Sequence, residues 1–376
     1  MALLDAETVI IVGAGIGGLA LGRALHSQGV PFRIVERASK PGDGGLAINL
    51  PGNAIAALTT LGLREEIEEA GFPLRRRQYR TSRDKLLFEV DEASFWGPSM
   101  QPRSVRRSAL FKMLARGLPV GSVRYGGDVQ SMSLHQTHAE LSLASGPTLN
   151  ARLVVGADGV RSVVRAQAFG PDVGSGHALL ADTSWRFMAP NPGIEHWTVW
   201  AGDEGMVLLM PVGPDEVYGW AALTRPQPGL GSVEGLERMT RGFPERVRSA
   251  VSHAVAQPGG LYHSPLEEVR LDRWHTGRAV LIGDAAHATA PVWAEGAALA
   301  MEDAIVLARL VATNSEVPEA LAAFDAQRRP RVAHVQALTD AMSRAAKLPP
   351  FVRNALLPFV GPKRYRQTYE PLRARV

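Results

Sequence analysis

The chain has 376 residues, of which 38 are glycine and none is cysteine, and its 41 basic and 37 acidic side chains leave a net charge of +4. The missing cysteine excludes a disulfide framework, a thiolate nucleophile, a Cys-ligated zinc and an iron–sulfur cluster. Glycine stands at about one residue in ten against the roughly 7% usual for globular proteins, without repeats or low-complexity tracts, so the excess belongs at defined backbone positions.

Met1–Glu7 carries acids where a signal peptide has basic residues, and no apolar run approaches the ~20 residues of a membrane span. A cytoplasmic protein without membrane insertion is expected. Thr8 to Val12 is a short apolar run with the β-branched residues of a buried strand. Gly13, Gly15, Gly17 and Gly18 follow; then Leu19, Leu21, Ala24 and Leu25 draw a helical apolar stripe ending near Gly29, with Pro31 beyond. Phe32 to Val35 reads as a second strand closed by Glu36, a β-α-β start that argues for an α/β sheet.

Residues 42–63 read as a glycine-rich loop and then a helix, with Asn53 as N-cap and Gly62 as its stop. Residues 76–100 are mixed and include strands. A helix around Ser108–Leu114 and strands to about Leu143 lead to a buried strand at Arg152–Gly156. Between about 185 and 223 the pattern becomes a meander, Glu195–Trp200, Met206–Pro211 and Glu216–Leu223, separated by Gly/Asp turns. From Arg278 the α/β character returns with a strand at Ala279–Ile282 and a helix from about Gly296 to Val311. This order implies one domain inserted into another. From Arg328 onward eleven Lys/Arg face two acids, a local +9 that leaves −5 for the rest. It predicts a solvated, arginine-rich helical tail; such charge suits nucleic acid or anionic lipid, but no nucleic-acid motif accompanies it.

Gly13-x-Gly15-x-x-Gly18 follows a strand and opens a helix. Gly13 allows the tight turn, Gly15 lets a pyrophosphate approach the backbone, and Gly18 lets helix and strand pack closely. The helix N-terminus offers free N–H groups to phosphates, and Glu36 stands where a carboxylate accepts hydrogen bonds from a ribose. An acid there suits an unphosphorylated ribose, so FAD or NAD rather than NADP.

Two further signatures decide between those. Gly156-Ala-Asp158-Gly159-Val160-Arg161-Ser162-x-x-Arg165 follows one strand; Gly283-Asp284-Ala285-Ala286-His287-Ala288-Thr289 and Pro291 follow another. With the first motif, they resemble the class A FAD-dependent aromatic monooxygenases, the p-hydroxybenzoate and salicylate hydroxylases. The resemblance runs from about residue 8 to about 350 and takes in Gly44-Gly45 through Pro51 and Asn53, Arg107–Leu110 and Glu302-Asp303-Ala304.

The resemblance implies an α/β protein: a Rossmann-like FAD-binding domain, an inserted antiparallel β-sheet substrate domain and C-terminal helices. The boundaries would be 1–75, 101–175 and 270–345 for the first, 76–100 and 176–269 for the second, and 346–376 for the helical tail. It implies FAD as cofactor, NADH or NADPH as transient electron donor and O2 as co-substrate. A small aromatic or conjugated substrate would be hydroxylated or epoxidised through a flavin C4a-hydroperoxide, by a monomer or homodimer. The FAD-binding set would be Gly13, Gly15, Gly18, Glu36, Arg37, Arg107, Asp158, Gly159, Asp284, Gly296 and Ala297. Asp284 would hold the ribityl chain, and Asp158 would mainly hold its own loop. The helix from Gly296 would aim at the N1/C2-carbonyl end of the flavin ring. No metal is expected.

After the Gly-Asp motif the family usually shows Gly-Gly-Gln-Gly, whereas this chain reads Trp293-Ala294-Glu295-Gly296. The bland expectation is that Glu295 points to solvent and Trp293 fills volume. The sharper one is that Trp293 narrows the pocket beside the reacting ring. His287 is expected to be structural. Arg186, His196, Thr198, Trp200, Tyr218 and Trp220 are candidates for substrate contact, with His196 and Tyr218 as candidate bases and Trp293 as the third catalytic candidate. A reductase or dehydrogenase on the same frame, or a catalytically altered flavin- or ligand-binding protein, are the alternatives.

Overall fold

The computed structural model describes residues 8–42, 45–225 and 232–376. Gly44 and the Met1–Glu7 segment lie outside the described residues. Val9–Val12, β-branched and buried along its whole length, sits inside a six-stranded sheet. It pairs in parallel with Leu153–Gly156 on one side, Val9 opposite Leu153, and with Phe32–Glu36 on the other, Val9 opposite Phe32. Ala279–Leu281 and Val123–Tyr125 extend the sheet in parallel, and His275–Thr276 turns back antiparallel at one edge. Such doubly covered parallel strands read as continuous apolar runs, which is why they show so plainly in the sequence.

Helix Ile16–Ser27 crosses between the first two strands and lies along helix Gly296–Thr313. Gly17 faces that helix, and a Cβ there would stand in ordinary contact, 3.5 Å from the Ala300 methyl.

The second large sheet has seven strands, ordered Leu261–Pro265, Thr183–Pro190, Glu216–Leu223, Gly205–Pro211, Trp197–Ala201, Arg76–Thr81 and Leu86–Asp91. Its core is the expected meander. The last two strands come from far earlier in the chain, and Arg76–Thr81 pairs with Trp197–Ala201 in parallel, Arg77 opposite Trp197. One face carries Trp185, Phe187, Trp200, Val207 and Leu209, covered by helices Val233–Thr240 and Glu245–Ala256. The alternate residues face the rest of the molecule. There Trp220 packs with Leu180, Leu266, Ala290 and Ala346, and Trp197, Val199 and Met210 pack with Ala47 and Leu74.

Two expectations need correction. The helix of residues 52–60 begins at Gly52 with Pro51, not Asn53, in the capping position. Asn53 lies in the first turn and sends its amide inward, donating to Glu295 Oε2 at 2.8 Å and Glu302 Oε1 at 3.2 Å. The C-terminal segment is not a solvated tail either. Helices Val317–Ala346 and Pro350–Tyr369 bury Arg328, Arg353, Tyr365 and Tyr369 almost completely. Arg328 meets Asp303 at 2.7 Å and Glu302 at 2.9 Å, and Arg353 donates to the Ala201 carbonyl at 3.2 Å. The acids and carbonyls that neutralise these arginines lie elsewhere in the chain, so a local charge count misses them. Among the described residues no helix is long and apolar enough to cross a membrane.

Candidate active site

The glycine loop has the geometry its spacing promised. Gly13 adopts φ +105°, and a Cβ there would stand 2.5 Å from the Ala157 carbonyl oxygen; at Gly18 it would stand 1.9 Å from the Gly13 carbonyl oxygen. Gly15, at the N-cap of helix Ile16–Ser27, is different, since the nearest atom to its missing Cβ is 4.0 Å away. Packing demands glycine at 13 and 18. At 15 the chain leaves a cradle open beside the helix N-terminus, where unpaired N–H groups and the partial positive charge favour phosphate. Glu36 turns back to this loop, accepting from the Ala14 N–H at 2.7 Å and the Ala38 N–H at 2.9 Å. Each oxygen keeps acceptor capacity for a ribose hydroxyl. Arg37 next to it is exposed.

Asp158 braces the neighbouring turn. It accepts from Ser162 Oγ at 2.5 Å and from the N–H groups of Val163 and Val164 at 2.7 and 3.2 Å, and so caps helix Val163–Phe169. Burial raises its carboxyl, opposed by these donors. Gly159 beside it adopts φ +82° with open space around it.

Asp284 begins the short helix Asp284–His287 and is exposed, with its Oδ1 3.6 Å from where a Gly296 Cβ would be. Asp284 thus meets the N-terminus of helix Gly296–Thr313, where Gly296 and Ala297 supply the first N–H groups. The corner is fixed from below. His287 Nε2 bonds Asp303 Oδ2 at 2.6 Å, and the Gly283 N–H donates to the same oxygen at 2.9 Å. Burial pushes the Asp303 carboxyl up, but His287, Arg328 and the Gly283 N–H outweigh it and hold it at about 2. His287 is structural, as expected.

Arg107 opens helix Arg107–Ala115 and carries a cation with no hydrogen-bond or ion-pair partner among the described residues. Its electrostatic neighbours are Asp284 on one side and Tyr218, Arg186 and Tyr262 on the other. Burial lowers its pKa and Asp284 opposes that. Arg107 therefore stands where the Asp284 corner faces the seven-stranded sheet. On that sheet Met188 is opposite Tyr218 and Arg186 is opposite both Trp220 and Tyr262, so all five share one face. The Arg186 guanidinium lies 5.8 Å from the Tyr262 ring centroid. Burial raises the Tyr218 phenol, with Arg186 and Arg107 pulling it down.

The structure separates the two candidate bases. His196 lies in the bend before strand Trp197–Ala201, and the strand's alternation sets it with Thr198 and Trp200, away from Tyr218. Trp197 and Val199 face Tyr218 instead. Period-two reading grouped these residues correctly, but which group faces inward depends on where helices Val233–Thr240 and Glu245–Ala256 pack.

Glu295 does not point to solvent. It is 2% exposed, accepts from Asn53, and has a second oxygen without a partner. Burial raises its carboxyl to about 8; Asn53, Arg331 and Arg77 oppose the rise and Glu302 adds to it. Trp293 is equally buried, its ring meets Tyr369 edge-on at 5.8 Å, and its carbonyl accepts from the Tyr369 hydroxyl. Between them Ala294 adopts φ +59°, the left-handed region that glycine enters freely. Behind this loop Arg77, fully buried, pairs with Glu92 at 2.9 Å and lies 4.2 Å over the Trp197 ring. Sequence reasoning missed the Arg77–Glu92 pair, Tyr262, and Asn49, whose buried amide has no partner on either atom. An open glycine cradle at a helix N-terminus, with Arg107 lacking a hydrogen-bond or ion-pair partner among the described residues, fits a polar dinucleotide ligand.

Residues 6–339 match the family model described as an FAD binding domain. The chain is 31% identical over 337 residues to the 2-heptyl-3-hydroxy-4(1H)-quinolone synthase of Pseudomonas aeruginosa, covering 88% of this chain and 87% of that one. It is 31% identical over 332 residues to the aurachin C monooxygenase/isomerase of Stigmatella aurantiaca, covering 85% of each. It is 30% identical over 345 residues to the FAD-dependent urate hydroxylase of Mycolicibacterium vanbaalenii, covering 86% and 85%. The structure of Klebsiella pneumoniae HpxO complexed with FAD and uric acid superposes with a TM-score of 0.84 at 23% identity, covering 98% of this chain and 95% of that one.

Proposed function

The chain belongs to the FAD-binding-domain family of monooxygenases, and from that premise we propose how its residues divide the work. It is an FAD-dependent monooxygenase that uses NAD(P)H to hydroxylate an aromatic or heterocyclic small molecule. When bound, the flavin supplies electron transfer from the nicotinamide and the activation of dioxygen; the protein supplies position, dryness and proton control.

Gly13, Gly15 and Gly18 with the N–H groups of helix Ile16–Ser27 hold the pyrophosphate, and Glu36 takes the adenosine ribose with exposed Arg37 beside it. Asp158 and Gly159 keep the adjoining turn in shape. Asp284 takes hydroxyls of the ribityl chain, and the Gly296 and Ala297 N–H groups face the polar edge of the ring. Arg107 screens negative charge between the two halves.

The substrate lies on the sheet face of Arg186, Tyr218 and Trp220, with Trp293 behind the flavin side as a rigid wall. The observation that carries this reading is the convergence of Asp284, Arg107, Tyr218 and Arg186, two of them cations without an ion-pair partner among the described residues, where the apolar sheet face meets the Gly-Asp corner. Cations facing a hydroxylated or oxo-substituted ring favour its deprotonated, electron-rich form. The substrate class that fits is a planar heteroaromatic with an ionisable ring oxygen, in line with relatives named for quinolone, urate and 6-hydroxynicotinate. In this reading Tyr218 holds that oxygen and relays its proton.

NADH and NADPH oxidation, measured with and without a panel of such heteroaromatics, tests the reading together with mass detection of a +16 product. Substrate-stimulated oxidation with oxygen insertion is expected, and Arg186→Ala and Tyr218→Phe should raise KM and uncouple the two readouts. Oxidation without insertion under any substrate would move the chain to the reductases; no oxidation with either donor would make it a binding protein.

A further inference from the structure

The last helix presents an apolar face that nothing among the described residues covers. On Pro350–Tyr369, Phe351 is 78% exposed, Phe359 82%, Leu356 48% and Val360 40%. Helical spacing sets Phe351, Ala355 and Phe359 along one line with Leu356 and Val360 beside it, and Ala355 is exposed too. The opposite side is anchored: a Cβ on Gly361 would stand 2.3 Å from the Phe88 ring, and Tyr365 and Tyr369 are buried. The apolar stripe is thus held outward by a fixed helix. Exposed cations flank it at both ends, Arg344 and Lys347 before it and Lys363 and Arg366 after it.

We propose that this face docks the enzyme on the surface of an anionic lipid bilayer. Phenylalanine and leucine enter the acyl boundary while lysine and arginine meet the headgroups, the composition of an interfacial helix lying in the membrane plane. Charge distribution selects this occupant. The exposed Arg344, Lys347, Lys363 and Arg366 border the stripe and residues 341–369 contain no acid, so this surface is attracted to anionic lipid. A second copy docked through the same face by a two-fold axis would set two cationic segments against each other.

The placement serves the site. Ala346, at the end of helix Val317–Ala346, packs into the same cluster as Trp220, Ala222, Leu266 and Ala290, with Tyr218 against it. The corner between the last two helices therefore joins the lipid-facing stripe to the apolar sheet face. An enzyme docked there receives substrates that partition into the bilayer. The docking claim stands on the helix and the charge alone; this last step rests on the substrate side proposed above.

Sedimentation of the FAD-loaded enzyme with large vesicles of phosphatidylcholine, with and without phosphatidylglycerol, tests the docking. Binding to vesicles with phosphatidylglycerol is expected, at least about tenfold stronger than to pure phosphatidylcholine and weakened by salt. Phe351→Glu/Phe359→Glu should lower it by about tenfold or more, and Lys347→Glu/Lys363→Glu should remove the preference for phosphatidylglycerol. Bound FAD and oxidation of a water-soluble heteroaromatic should stay as in the parent, which shows the variants are folded. No vesicle binding at low salt, equal binding to both lipids, or unchanged binding by the phenylalanine variant would overturn the proposal. So would a concentration-dependent dimer that Phe359→Glu dissociates, which would assign the face to a second copy.

Discussion

Replacing Glu295 with glutamine removes one ionisable group from the interior while keeping its shape and an acceptor for the Asn53 amide. The carboxyl ionises near 4.5 in the unfolded chain and near 8 when buried. Between those values the folded state holds a proton that the unfolded state has released, so stability falls as pH rises from 4.5 and levels off above 8. At about 1.4 kcal/mol per pH unit, ionisation withdraws about 3 kcal/mol from the folded state at pH 7 and about 5 above pH 8. Groups around the carboxyl are Asn53, Glu302, Arg331, Arg77 and Tyr369. Its unpartnered oxygen explains why the arginines do not suffice. With an unfolding entropy of about 2.1 cal/mol/K per residue, about 5 kcal/mol corresponds to a Tm difference of about 6 °C in a chain of this length. Thermal melts of both proteins at saturating FAD should show Glu295→Gln about 2 °C more stable at pH 5.5 and about 6 °C more stable at pH 8.5. A gap that stays constant across that range would refute a buried, proton-holding Glu295.

Arg77→Met should destabilise the protein by about 3–5 kcal/mol, because it strands the buried Glu92 carboxylate, and adding Glu92→Gln should restore most of that in urea denaturation. A double variant no better than the single would place the loss in packing over Trp197 instead. Gly15→Val should fold with parental circular dichroism yet bind FAD at least about a hundredfold more weakly by fluorescence titration, since its side chain fills a space that only a ligand uses. Gly18→Val, whose Cβ alone would stand 1.9 Å from a carbonyl oxygen, should fail to fold. Equal behaviour of the two glycine variants would contradict the distinction drawn between cradle and packing.

Much of this was legible in the sequence, and the reason differs by element. The Val9–Glu36 unit, the meander and the helix from Gly296 are written in local periodicity and glycine placement, which neighbours in the chain suffice to decode. Residues whose meaning depends on distant partners were not. Asn53 reads as a cap until Glu295 and Glu302 are beside it, and Glu295 reads as a surface acid until helix Val317–Ala346 and the tyrosines close over it. Arg328 and Arg353 look like a solvated charge run because their acceptors lie elsewhere in the chain. His196 and Tyr218 each sit on a correctly grouped strand face. Choosing the inward face requires knowing where the covering helices go, and strand alternation carries no such information.

The parallel pairing of Arg76–Thr81 with Trp197–Ala201 also bears on how the protein is made. Arg77 emerges from the ribosome long before Trp197, its partner strand, and Leu153–Gly156 must likewise wait for Ala279–Leu281. The seven-stranded sheet is complete only at about residue 265 and the six-stranded one at about residue 281, so early strands carry unpaired edges through most of translation. Such edges invite association with other nascent chains. Folding of this enzyme is therefore governed by long-range closure, and slow elongation or low-temperature expression should favour soluble product over rapid synthesis.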